Sequence, residues 1–187
     1  MPTTVTLTCA FETAMTGRLR PALARFWRDR LDVTWVDGPA DVTIVLDDRL
    51  PDGHAPGSEG YVITQDAGRY TIVGEGLGLA FGVGRLAREA LRGPDGPVFP
   101  ALTADEAPAV PVRGIYFPLH RTGGDQPIAF NAYSALLYDE GRYDDFEAML
   151  VELIFWGMNT IGLWYCEWMP LPGEGAEGRH PLQRRGA

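Results

Sequence analysis

YDDFEAMLVELIFWGMNTIGLWYC, residues 143–166, is the stretch on which the reading of the fold turns. Phe146, Met149, Leu150, Leu153 and Ile154 recur at helical spacing, so Tyr143–Trp156 predicts an amphipathic helix. Asp144, Asp145 and Glu147 fill its first turn, where the partial positive charge of a helix start favours anions. Gly157 is placed to end the helix, and Asn159–Cys166 continues as an apolar run of strand length. Upstream, Val112–Phe117 is another apolar strand, joined to the helix by a polar, Gly-containing loop from His120 to about Arg142. Strand, loop, helix and strand in that order predict a β/α unit whose two strands run parallel.

The N-terminal half is patterned differently. Thr4–Phe11 alternates Val5, Leu7, Cys9 and Phe11 with threonines and Ala10, the period of a half-buried strand. From Thr16 the spacing of Leu19, Leu23, Phe26 and Trp27 predicts a helix, with Arg18, Arg20, Arg25, Arg28 and Arg30 spread over a solvated face. Leu31–Val36 and Asp41–Leu46 read as strands on either side of the turn residues Asp37-Gly38-Pro39. Tyr61–Thr64 and Tyr70–Val73 flank Asp66-Ala67-Gly68 as a hairpin. Leu79, Val83, Leu86, Ala87, Ala90 and Leu91 mark a second helix ending near Gly93. The order β-α-β-β-β-β-α predicts an α+β domain, an antiparallel or mixed sheet with helices on one face. Gly93–Pro111 carries five prolines and three acids without periodicity, and reads as a linker. The expected division is therefore an α+β domain over 1–92, a linker over 93–111, and the first β/α unit and second strand of a barrel over 112–168. Residues 169–187 have lost apolar pattern and read as a disordered tail. A complete (β/α) barrel takes about 250 residues, so the barrel start is expected to be incomplete.

Composition narrows the chemistry. The 187 residues are 45% hydrophobic with a formal charge of −9, which suits a globular chain and disfavours a phosphate-backbone partner, so no nucleic acid is expected. All 16 basic residues are arginines, which excludes Schiff-base, P-loop and lysine-base mechanisms. Cys9 and Cys166 lie in apolar runs and read as buried thiols. His54, His120 and His180 show no ligand spacing, so no metal is expected. Gly82-Val83-Gly84-Arg85-Leu86-Ala87 matches a loose dinucleotide pattern but falls inside a helix, where the glycines serve close packing on the sheet; no cofactor is expected. No apolar run reaches the ~20 residues of a membrane span. The N-terminus lacks a signal-peptide pattern, and the expected compartment is the cytoplasm.

In β/α barrels the reacting groups project from the C-terminal strand ends. Those ends carry His120 and Arg121 after the first strand, and Tyr165, Glu167 and Trp168 after the second. Arginine offers a planar fork of donors suited to vicinal hydroxyls or a carboxylate, and tryptophan suits stacking on a sugar ring. Arg121 reads equally as an exposed loop residue, and Trp164 as core filling. Glu167 is one carboxylate where glycoside hydrolysis needs two, so no catalytic residue is assigned.

As an ordered set, three features carry a family resemblance: the β-α-β-β-β-β-α domain ending in Tyr70-Thr-Ile-Val-Gly74 and its helix, Arg113-Gly114-Ile115-Tyr116-Phe117-Pro118-Leu119-His120-Arg121, and Phe155-Trp-Gly-Met-Asn-Thr-Ile161. The chain resembles, from Thr4 to Trp168, the N-terminal half of glycoside hydrolases of the beta-N-acetylhexosaminidase and alpha-glucuronidase type. The resemblance implies a non-catalytic α+β domain followed by a catalytic (β/α) barrel. It also places Arg121 at the family's sugar-binding arginine, the last residue of R-G-x-x-x-D-x-x-R. Pro118 stands where the hexosaminidases have aspartate, and their His-Trp-His pattern is missing after Met158-Asn159, which leaves a glucuronidase-like relative, or one of neither kind, as an equal reading. The family's paired acids lie on later barrel strands, to which no residue here corresponds. Two functions are thus expected as alternatives: a truncated glycoside hydrolase inactive alone, or a stand-alone accessory domain that binds carbohydrate or a separately encoded barrel.

Overall fold

The computed structural model describes residues 3–28, 30–119 and 143–165. The chain divides into two compact units, Met1–Arg113 with Val151–Asn159, and Gly114–Leu150 with Thr160–Ala187.

The first unit is built on a six-stranded sheet. Its strands are β1 (Thr3–Cys9), β2 (Val33–Trp35), β3 (Val42–Asp47), β4 (Tyr61–Asp66), β5 (Arg69–Gly74) and β8 (Ala104–Glu106), in the order β2-β1-β3-β5-β4-β8. β1 pairs parallel with β2 and β3, and β3 parallel with β5; β4 runs antiparallel to β5 and β8. The sheet is mixed, as the sequence allows, with a parallel majority. Register carries the alternation from strand to strand: Val5 opposes Val42, Leu7 opposes Ile44, and Ile72 opposes Leu46 and Ile63. These apolar side chains share the buried face, and Thr4, Thr8, Thr43, Thr64 and Thr71 fall on the other.

Helices α1 (Ala14–Trp27) and α2 (Leu77–Glu89) complete the core with the sheet. Leu19, Leu23, Phe26 and Trp27 are buried, as their spacing predicts. Trp27 donates its indole N–H to the Ala87 carbonyl at 3.1 Å, tying the end of α1 to α2. Thr13 caps α1, and Asp48 accepts from the Thr13 hydroxyl at 2.6 Å and from the Gly76 amide at 2.9 Å. One carboxylate thereby serves the N-termini of both helices, where the dipole favours negative charge. α2 lies so close to its neighbours that a β-carbon at Gly82 would meet the Ile72 side chain at 2.6 Å, and one at Gly84 the Phe155 backbone at 2.4 Å. These glycines serve packing, as read from the sequence.

Residues 91–106 depart from the patternless linker reading. They hold a hairpin of β6 (Leu91–Gly93) and β7 (Gly96–Val98), followed by β8. Leu102 is buried, Phe99 packs against the core, and the Tyr70 hydroxyl donates to the Pro100 carbonyl at 2.5 Å. Leu91, assigned to the buried face of a helix from spacing, is instead the first residue of β6 and 62% exposed.

In the second unit, β9 (Gly114–Leu119) and β10 (Thr160–Tyr165) pair in parallel. Between them in sequence runs α3 (Tyr143–Phe155), its residues from Val151 onward grouped with the first unit. Among the described residues no helix is long and apolar enough to cross a membrane, and no group of three or more His, Cys, Asp or Glu could hold a metal ion.

Candidate functional site

Two parallel strands of equal length present their carboxyl ends together. Gly114 opposes Thr160 at one end, and Pro118 and Leu119 oppose Trp164 and Tyr165 at the other. The sequence continues from Leu119 into His120 and Arg121, and from Tyr165 through Cys166 into Glu167 and Trp168. These four sequence-derived site residues lie outside the described residues. The register fixes the points from which both segments depart: neighbouring strand ends one pairing distance apart, about 5 Å.

The residues leading into these strands are held by a polar clamp within the first unit, which sequence reasoning missed. Arg113 donates from Nη2 to Glu59 Oε2 at 2.7 Å, from Nε to the Gly157 carbonyl at 2.7 Å, and from Nη1 to the Val110 carbonyl at 2.5 Å. Asn159 donates from Nδ2 to Glu59 Oε1 and Oε2 at 3.1 and 3.0 Å and to the Pro111 carbonyl at 2.8 Å, and its Oδ1 accepts from the Arg113 amide at 3.0 Å. The Asn159 amide in turn donates to the Arg113 carbonyl at 2.8 Å. One glutamate thus joins the residue before β9 to the residue before β10. The Arg113 guanidinium also lies 5.0 Å from the Phe81 ring centroid, a cation–π contact.

Local backbone supports the clamp at both ends. Glu59 has φ +55°, a left-handed conformation that a non-glycine residue adopts at a cost, and its carboxylate is where Arg113 and Asn159 converge. Gly157, at φ +84°, ends α3: its amide donates to the Ile154 carbonyl at 2.8 Å and the Met158 amide to the Leu153 carbonyl at 3.0 Å. That pair of bonds is a Schellman ending, and it turns the chain directly into Asn159. The signal in the sequence was split: Arg113 and Asn159 belong to quoted motifs, whereas Glu59 follows a Pro- and Gly-rich loop with nothing to mark it.

A second polar cluster surrounds Tyr61. Its hydroxyl donates to Glu106 Oε2 at 2.5 Å, and Arg85 binds Glu106 Oε1 at 2.9 Å and Glu89 Oε1 at 2.9 Å. Burial, and after it the Glu106 carboxylate, pushes the Tyr61 phenol up to about 12. The cluster ties β4, α2 and β8 together.

No family model matches the chain, and no curated protein matches it. Solved structures do. The chain is similar in fold to a GH138 enzyme targeting the pectin rhamnogalacturonan II, with a TM-score of 0.58, 19% identity, and coverage of 86% of this chain and 19% of that one. It is similar to a GH115 4-O-methyl-alpha-glucuronidase with specificity for decorated arabinogalactans, at TM-score 0.56, 12% identity, and coverage of 89% and 25%. It is also similar to a mutant Streptomyces plicatus beta-hexosaminidase in complex with its product GlcNAc, at TM-score 0.54, 18% identity, and coverage of 90% and 31%. The chain spans between 19% and 31% of the length of these three structures. The likeness is one of fold, and it extends over most of this chain.

Proposed function

We propose that this chain is a non-catalytic α+β domain joined to the start of a catalytic (β/α) barrel, and that it contributes one edge of a sugar site in a carbohydrate-active hydrolase. The observation that carries the reading is the parallel pairing of β9 with β10 around an intervening helix, placed in sequence after a mixed-sheet domain. Glycoside hydrolases similar to it in fold support the reading, one targeting a pectin, one a 4-O-methyl-alpha-glucuronidase with specificity for decorated arabinogalactans and one in complex with GlcNAc.

In this proposal Arg121 binds sugar hydroxyls or a carboxylate through its planar fork, His120 and Glu167 exchange hydrogen bonds with further hydroxyls, and Trp168 stacks on the ring. Hydrolysis needs two carboxyl groups about 5 to 9.5 Å apart across the sugar, and Glu167 supplies at most one. These 187 residues therefore hydrolyse no glycoside on their own, and a barrel that completes the site is the partner the reading calls for. Saturation-transfer NMR of the purified chain with GlcNAc and with glucuronate tests the assignment. A response to either sugar that disappears in Arg121→Ala supports it; no response, or one indifferent to Arg121→Ala, removes it.

A further inference from the structure

Away from those strand ends, the first unit contains a cleft of about 800 Å³ between the C-terminus of α1, the edge strand β2 and the β6–β7 hairpin. Ligand sites typically occupy about 300 to 1,000 Å³, so the cleft has room for a short oligosaccharide. Its ionisable lining consists of Arg28, Arg92 and Asp32. Arg92 has a partner of its own, so the cation that the cleft offers a ligand is Arg28. Among the described residues no ion pair engages the exposed Arg28 guanidinium, which follows the last turn of α1 and is free to pair with a ligand.

The aromatic wall is preorganised. Trp35 lines the cleft from β2, and its ring stacks on the fully buried Trp27 at 5.8 Å between centroids and 20° between planes. Trp27 is fixed in turn by its bond to Ala87 and by an edge contact with Phe99 at 5.5 Å. A ring held in this way gives an amphipathic contact surface at little entropic cost on binding. Opposite, Pro94 and Pro97 stiffen the hairpin wall.

We infer that this cleft is an accessory binding site for an acidic oligosaccharide, one carrying uronate carboxylates, with Arg28 pairing the carboxylate and Trp35 contacting the sugar ring. The inference rests on the carbohydrate reading above and gives it a second site with its own specificity. It favours a ligand with a free carboxylate, because a charge-assisted bond from the arginine fork to an anion is about twice as strong as one to a neutral hydroxyl.

Calorimetric titration of the full chain with trigalacturonate, and with the neutral maltotriose as control, tests it. Trigalacturonate is expected to bind, to weaken as salt is raised, and to weaken about tenfold or more in Arg28→Ala, the size of a lost charge-assisted contact; maltotriose is expected to give no heat. Arg28→Ala melts like the parent because the residue is exposed, so lost binding there is not lost folding. No binding of trigalacturonate, equal binding of maltotriose, or an unchanged affinity in Arg28→Ala overturns the inference. The titration is repeated in Arg121→Ala, where heat that persists and depends on Arg28 belongs to the cleft alone, which separates failure of the cleft from failure of the strand-end site.

Discussion

Arg113 Nη2 sits 2.7 Å from Glu59 Oε2, with side chains 20% and 22% exposed, and the pair ties the loop before β4 to the residue before β9. An ion pair at the surface contributes little. This one is largely withdrawn from water and extended by Asn159, so removing one partner leaves a carboxylate or guanidinium without compensation. Arg113→Ala is expected to cost about 2 to 3 kcal/mol in urea denaturation, at the lower edge of buried-pair losses because some solvent reaches the site. A double-mutant cycle with Glu59→Gln should give a coupling of about 1 kcal/mol or more; additive losses would show that the two residues act separately.

Gly157 is the second mechanical point of the same clamp. Its φ of +84° suits glycine, and a β-carbon there is strained although it meets no neighbour. Gly157→Ala should lower stability by about 1 kcal/mol, read as a drop in melting temperature of a few degrees. An unchanged melting temperature would mean that the Schellman ending does not govern the turn into Asn159.

The β4–β5 hairpin offers the opposite test. Ala67 and Gly68 take φ of 43° and 82°, both left-handed, as a two-residue turn of this kind requires. Alanine is the poorer residue at its position. Ala67→Asn or Ala67→Gly should stabilise by roughly 0.5 to 1 kcal/mol, seen as a raised urea midpoint with an unchanged slope; a lowered midpoint would contradict the turn geometry.

The Tyr61 phenol gives stability a dependence on alkaline pH. Its ordinary value of 10.0 is raised to about 12 by burial and by Glu106. A raised value means that the folded state favours the protonated phenol. The stabilisation is complete below pH 10 and is lost as pH climbs toward about 12. Tyr61→Phe should flatten that part of the stability profile, and a profile that keeps its slope in the variant would assign the loss to another group.

How much of this was legible in the sequence depended on periodicity. β1 and β3 were readable because Val5, Leu7, Ile44 and Leu46 alternate along strands long enough to show it, and α1 because Leu19, Leu23, Phe26 and Trp27 are a single stripe. The strands of 91–106 are three residues each, too short for any period, and prolines within and beside them read as interruption. Leu102 and Phe99 were the buried signal in that stretch, and nothing in their spacing tied them to Tyr70 or Trp27. The clamp was hidden for a different reason: its side chains come from positions 59, 113 and 159, and polar partners 46 to 100 residues apart leave no local pattern. Arg121 rests on the family resemblance, and His120, Arg121, Glu167 and Trp168 all rest on their position in sequence after two strands now seen to pair in parallel.

The central proposal is that this chain contributes one edge of a sugar site and that the acid pair which cleaves a glycoside comes from elsewhere. Incubation of the purified 187-residue protein with a panel of aryl glycosides, including N-acetylhexosaminides and glucuronides, tests it most directly. The account predicts release of the aryl group no faster than in buffer. Turnover that survives repurification and is abolished by Arg121→Ala would contradict it.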